Sequence, residues 1–169
     1  MLIEFELTSK ELLHALGLFR QETINEIPFA NSWSAAQVAD HLLKSDNLII
    51  RTLEGEHFPS HRAPDEKVEE LRTTFMDFST KMEAMEVLLP GDDNFSKNDL
   101  IEDLKSTRER MVADIHSADL SDTFNTPSFG EITRLELLYF VIFHTKRHIR
   151  QLKNIYVALP TVHGNSFPY

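Results

Sequence analysis

TRLELLYFVIFHTKRHIRQLKNIYVA, residues 133–158, reads as one unbroken amphipathic helix. Its apolar stripe runs through Leu137, Val141, His144, His148, Leu152 and Ile155 in steps of four and three, the spacing of one helical face. Two histidines stand where a helical bundle ordinarily places leucine or isoleucine. Residues four apart lie on one face, about 6 Å apart along the axis. Two imidazoles at that separation reach a common metal ion, as in other His-x-x-x-His helices. The same spacing also fits two core histidines hydrogen-bonded to each other or to polar neighbours. The residues between them are Thr145, Lys146 and Arg147, so the glutamate that zincin proteases use as general base is missing.

Upstream, the helix starts are marked in a consistent way. Thr8 with Glu11, Ser34 with Gln37 and Thr133 with Glu136 read as capping boxes, and Ser96 with Asp99 as a weaker one. In each, the hydroxyl accepts from an orphan amide three residues on, and flanking apolar pairs such as Trp33 and Val38 staple the entry. The pattern predicts helices near 9–27, 35–54, 66–88, 97–117 and 134–158. Pro59 and Pro64 keep 55–64 a loop. Asn125, Pro127 and Gly130 mark 118–133 as a loop with room for a short extended or hairpin element. Few, long helices with scarce glycine (5 residues) suit an all-α antiparallel four-helix bundle with an extra piece.

The chain has 169 residues, a formal charge of −10, no cysteine and eight histidines. The length suits one domain over 1–169. Without cysteine there is no disulfide, thiolate nucleophile or Cys-held metal cluster, so a metal site must use imidazole, carboxylate and water. The charge repels phosphate backbones and argues against nucleic-acid binding. The longest apolar run, Leu137 to Phe143, is far short of a bilayer span. The N-terminus carries Glu4 and Glu6 instead of a cationic start, so no signal peptide is expected. A cytoplasmic protein without membrane association is the expectation.

The expected second helix adds His41, which shares an inward face with Val38, Leu42 and Ser45. Three buried imidazoles without a shared purpose each need a separate polar partner, whereas one metal ion satisfies His41, His144 and His148 together. Neutral ligands leave the ion's double charge uncompensated, and open positions lower the pKa of bound water. Imidazole suits zinc, nickel and iron, so the donors do not name the metal. A structural zinc site normally has four protein ligands, and no fourth is evident. Lys44 and Ser45 fall about one turn beyond His41, Gln37 one turn before it, Gln151 near the His148 face and Arg147 at its flank. Each is a candidate to orient substrate or support a ligand. His14, His57, His61, His116 and His163 are expected to be surface or loop residues.

These blocks resemble a known family. Trp33-Ser34-x-x-x-Val38-x-x-His41-Leu42, together with Phe129-Gly130-x-x-Thr133 and Phe140-x-x-x-His144-x-x-x-His148, is similar to the DinB-like, or YfiT-like, bundle superfamily, over roughly residues 9–156. The resemblance implies an up-down-down-up four-helix bundle, often a homodimer, with a divalent metal held by His41, His144 and His148. It implies a metal-dependent hydrolase or a thiol S-transferase using bacillithiol or mycothiol on a small-molecule substrate, with a maleylpyruvate isomerase also known in the family. In a transferase the thiol must come from a cosubstrate, since the chain has no cysteine. The other reading is a non-catalytic metal- or ligand-binding bundle of stress-response type. Histidines sealed beneath bulky side chains would favour that reading, and a metal facing a solvent-connected pocket would favour an enzyme.

Overall fold

The computed structural model describes residues 1–159; His163 lies outside the described residues. Helices α1 (Leu2–Gly17), α2 (Gln21–Ile24), α3 (Ala35–Leu53), α4 (Val68–Met76), α5 (Lys97–Ser117) and α6 (Arg134–Ala158) are joined by loops. A hairpin of β1 (Thr123–Thr126) and β2 (Gly130–Thr133) precedes α6. The long helices α1, α3, α5 and α6 form the bundle. Glu4–Lys146 and Glu11–Lys153 ion pairs lay α1 parallel to α6. Gln37 meets Gly91 just ahead of α5, and Glu54 meets Arg110 in its second half, so α3 and α5 run together. Arg134 at the start of α6 approaches the Leu53 carbonyl at the end of α3, so the two pairs oppose each other. The result is the up-down-down-up bundle. Among the described residues no helix is long and apolar enough to cross a membrane.

Three of the four expected caps form. Ser34 and Thr133 make complete capping boxes, and Ser96 accepts from the Asp99 amide. The fourth is corrected: α1 begins at Leu2, and Thr8 is buried inside it. Glu11 does not reach back to cap, because its carboxylate pairs with Lys153 on α6. The apolar stripe that matters begins earlier, at Phe5. The expected continuation to residue 27 also breaks, at Leu18–Arg20. There Gln21 and Asn25 both donate to the Phe95 carbonyl at 2.9 Å and turn the chain towards α5.

The expected helix over 66–88 is only nine residues long. It stops at Asp77, whose carboxylate takes the Ser79 amide and the Ser79 and Thr80 hydroxyls. Such local side-chain bonds compete directly with helix continuation. Residues 77–91 instead form a strap ending in a 3₁₀ turn at Glu86–Leu88. The hairpin foreseen within 118–133 is present, and Gly130 takes the left-handed backbone (φ 62°) at its turn.

The core is two apolar clusters. One holds Leu12, Leu16, Val38, Leu42, Leu104 and Leu152; the other holds Phe5, Ile49, Met111, Phe140 and Phe143. Along every bundle helix the changeover between clusters is a buried polar residue: Ser9, Asp46, Arg108 and Thr145. Arg108 ties the layer together, donating to Asp46 at 3.0 Å, Ser9 at 3.2 Å and Thr145 at 2.9 Å. Burial pushes the Asp46 carboxyl up, and the Arg108 guanidinium opposes that shift. His144 immediately precedes Thr145 of this layer.

Candidate metal centre

The S-x-x-Q start of α3 and the T-x-x-E start of α6 set where the histidines fall. From Ser34, His41 is two turns into α3; from Thr133, His144 and His148 are three and four turns into α6. Antiparallel packing brings these turns side by side. His41, His144 and His148 are 3%, 8% and 8% exposed, and their ligand-capable nitrogens all lie within 4.8 Å of one another. The Nε2 of His144 is 3.2 Å from Nε2 of His41 and 3.0 Å from Nε2 of His148.

The outer nitrogens decide what those inner ones can do. Nδ1 of His41 lies 2.8 Å from the Leu88 carbonyl, and Nδ1 of His148 lies 2.8 Å from Oε1 of Gln151. Both partners accept, so both Nδ1 atoms carry the proton and both Nε2 atoms present a lone pair. A neutral His144 has at most one N–H to offer at Nε2, and it cannot serve two lone pairs equally. At least one contact therefore sets lone pair against lone pair. A cation removes that conflict, and an outer acceptor that fixes the tautomer is the usual support of a metal-ligating histidine. The donor set fits a divalent ion bound through three Nε2 atoms.

Electrostatics favours the same state. Burial lowers all three imidazoles. The proximity of His148 and His41 lowers His144 further, well below the ordinary histidine range. His148 is pushed down to about 3 by burial and by His41, against a raising bond to Gln151. For His41, the Leu88 carbonyl and Asp40 oppose burial in part. Near neutral pH all three rings are unprotonated and free to ligate.

Aromatic side chains wall the site. The Trp33 ring centroid is 5.1 Å from that of His41. Phe140 stacks on His144 at 5.1 Å, and Phe75 meets it edge-on at 5.9 Å. The position of Phe140, one turn before His144, is legible in helical spacing. Leu88 is not, because it contributes a backbone carbonyl that any residue would supply.

The remaining candidates fall into place around the triad. Gln151 bonds His148. Ser45 is buried one turn beyond His41. Lys44 donates to the Leu89 carbonyl at 2.8 Å and pairs with Asp40 at 2.9 Å. Gln37 donates to the Gly91 carbonyl at 3.2 Å. Arg147 donates to the carbonyls of Phe75 (3.3 Å), Asp77 (2.7 Å) and Thr80. Its guanidinium also lies 6.0 Å from the Phe78 ring, which Arg150 covers at 4.4 Å. His14, His57, His61 and His116 are exposed, as expected. Two surface cavities, of about 340 and 220 Å³, are lined by residues such as Phe5, Leu13 and Arg108, and by Ile50, Leu53 and Met111; neither has a histidine in its wall.

Comparison with known proteins agrees with this architecture. The chain is 30% identical to "Uncharacterized protein YuaE" of Bacillus subtilis (strain 168) over 141 residues, covering 79% of this chain and 83% of that protein. Its fold is similar to that in "Crystal structure of TT2238, a four-helix bundle protein", with a TM-score of 0.54 and 20% identity over 90% of this chain and 95% of that one. A family model for the DinB superfamily matches residues 4–152, from the first turn of α1 to the last turns of α6. With that match spanning the helices that carry His41, His144 and His148, the chain belongs to the DinB superfamily.

Proposed function

We propose that this chain is a divalent-metal-dependent enzyme, and that hydrolysis of a small uncharged carbonyl substrate is its reaction class. The observation that carries the reading is the convergence of three Nε2 atoms, with the outer nitrogens of His41 and His148 already committed to acceptors. A zinc, nickel or iron ion held by three neutral imidazoles keeps its full charge and supplies Lewis acidity towards a carbonyl oxygen. The chain's own residues do the rest. Leu88 and Gln151 hold protons on the outer nitrogens and so keep the inner lone pairs turned inward. Trp33, Phe75 and Phe140 keep water from the rings, which strengthens every charge interaction there.

Thiol S-transfer is the second reading, and the cations speak against it. A bacillithiol-type cosubstrate brings carboxylates, yet Lys44 and Arg147, the basic residues beside the triad, are engaged with Asp40 and with backbone carbonyls. A non-catalytic bundle is favoured by one observation, the low exposure of the three rings.

The test is elemental analysis of untagged protein, followed by addition of Zn²⁺, Ni²⁺ or Fe²⁺. About one ion per chain is expected, falling below a tenth in His144→Ala. Protein that takes up none of the three ions overturns the reading. Assays of the loaded protein with amides and esters, and with electrophiles plus several low-molecular-weight thiols, separate hydrolase from transferase; inactivity in all of them favours the non-catalytic bundle.

A further inference from the structure

The triad is largely buried, its residues 3–8% exposed, which leaves too little open surface for a substrate to reach it without a movement. Trp33, Phe75 and Phe140 pack on its rings. The strap 77–91 runs from Arg147, the neighbour of His148, to the Leu88 carbonyl at His41, and so links both ligand-bearing helices. Its two ends are held very differently. At residues 88–91 four side chains of α3 grip the backbone: His41 on the Leu88 carbonyl, Lys44 on that of Leu89, Gln37 on that of Gly91, and Asp40 on the Gly91 amide at 2.9 Å. Gln37, Asp40, His41 and Lys44 share one helical face, so that end is fixed by the same surface that presents His41.

At the other end α6 holds the backbone through Arg147, while Arg150 lies over the Phe78 ring at 4.4 Å. Arg147 gathers the carbonyls of Phe75, Asp77 and Thr80. Asp77, Phe78, Ser79, Thr80, Lys81, Met82 and Glu83 are all exposed. Beyond them, Met85 Sδ lies 3.3 Å from the Ser128 hydroxyl. Opening at this end exchanges guanidinium–carbonyl bonds for bonds to water at small net cost. Opening at the other end would also strip His41 of the acceptor that sets its tautomer.

We propose that residues 77–85 are the lid of the metal centre, latched by Arg147 and hinged at the 3₁₀ turn Glu86–Leu88. Metal ion and substrate both enter and leave when Arg147 releases the Phe75, Asp77 and Thr80 carbonyls. This rests on the metal-enzyme reading above and adds the route by which its buried site is reached. It also reconciles low ring exposure with turnover. Arg147, next in sequence to His148, is thereby a gating residue and not a group that touches substrate.

The test follows Zn²⁺ exchange by stopped flow, with the fluorescence of Trp33, the chain's one tryptophan, as reporter. Excess chelator measures release. A gate scales entry and exit together. Arg147→Met is expected to raise both rates about tenfold, the weight of one or two exposed hydrogen bonds, with Kd moved less than threefold. Arg147→Lys keeps the charge without the planar fork and is expected to fall between. Zinc binding with both rates unchanged overturns the lid and leaves the metal site standing. A rise in the release rate alone also overturns the lid, since it assigns Arg147 to ligand affinity. A wild-type chain that binds none of Zn²⁺, Ni²⁺ and Fe²⁺ overturns both readings; should it take nickel or iron in place of zinc, the same exchange is followed with that ion. Hydrogen exchange on the zinc-loaded wild type needs no variant: amides of 78–85 are expected to exchange at least tenfold faster than those of 88–91, and uniform exchange refutes the hinge.

Discussion

The side-chain carbonyl of Gln151 accepts from Nδ1 of His148 at 2.8 Å, three residues along the same helix. It thereby determines which nitrogen of His148 faces His41 and His144. Removing such an outer partner typically costs 10–100-fold in metal affinity. Gln151→Ala is accordingly expected to weaken zinc binding about 10–100-fold, with an unchanged helical circular dichroism spectrum. Gln151→Glu, which still accepts, is expected to retain affinity within about threefold. Isothermal titration decides the matter, and equal affinity for Gln151→Ala and wild type would falsify the role.

Three imidazoles facing one another without an ion are a local conflict, and His144 stands at its centre. Replacing it with leucine removes that conflict and adds apolar burial beside Phe140. Metal-free His144→Leu is expected to be more stable than metal-free wild type by about 1–2 kcal/mol, the usual sign of a site held for function. Zinc in hundredfold excess over Kd should add about 2.7 kcal/mol to wild type and nothing to the variant. Thermal melts with and without zinc report both effects; a variant that still gains from zinc removes His144 from the donor set.

Arg108 and Asp46 are about as buried as ionic groups become, at 3% and 1% exposure. The bland expectation for a buried pair is modest net worth but a high cost of breaking it. Arg108→Met leaves Asp46 buried without its partner and is expected to cost about 3–5 kcal/mol. The double variant Arg108→Met with Asp46→Leu should recover most of that loss. Urea titration of the two variants is the measurement, and equal losses in both would mean that Ser9 and Thr145 account for the effect.

Glu136 is fully buried at the start of α6. Burial alone would raise its carboxyl, but two 2.6 Å bonds from Arg62 and the amides of Thr133 and Lys67 outweigh it and hold the group below the usual glutamate range. A depressed folded pKa contributes stability that is complete above the unfolded value and is lost as pH falls through the folded one. Glu136→Gln is thus expected to cost about 2–3 kcal/mol at neutral pH. The gap between variant and wild type should shrink once pH drops below about 4.5. Denaturation curves between about pH 7 and pH 3 test this; a gap independent of pH would place the cost in packing and not in charge.

Features within one or two turns of a helix were readable from residue types alone. The boxes at Ser34 and Thr133 form as spaced, because a hydroxyl and an amide three residues apart meet through local backbone geometry. His144 and His148 share a face for the same reason, and His41 joins them because two inward stripes of one bundle must pack together. Thr8 shows the limit. Its box pattern is as good as the others, yet a lysine 142 residues away takes Glu11.

Tertiary structure decided whatever depends on a partner distant in sequence. The end of α4 is partly such a case: beside the local Asp77 bonds to Ser79 and Thr80, Arg147, from a helix 70 residues on, gathers carbonyls that a continuing helix would have needed. The tautomer of His41 is another, since a carbonyl at Leu88 bears no mark in its side chain. The polar layer through Ser9, Asp46, Arg108 and Thr145 is a third, each residue reading as an ordinary polar position until four helices bring them together. By itself the sequence determined the bundle and the three histidines, through local periodicity and capping. Only the packed chain determined which lone pairs face inward and what closes over them, because backbone carbonyls and long-range ion pairs leave no periodic trace.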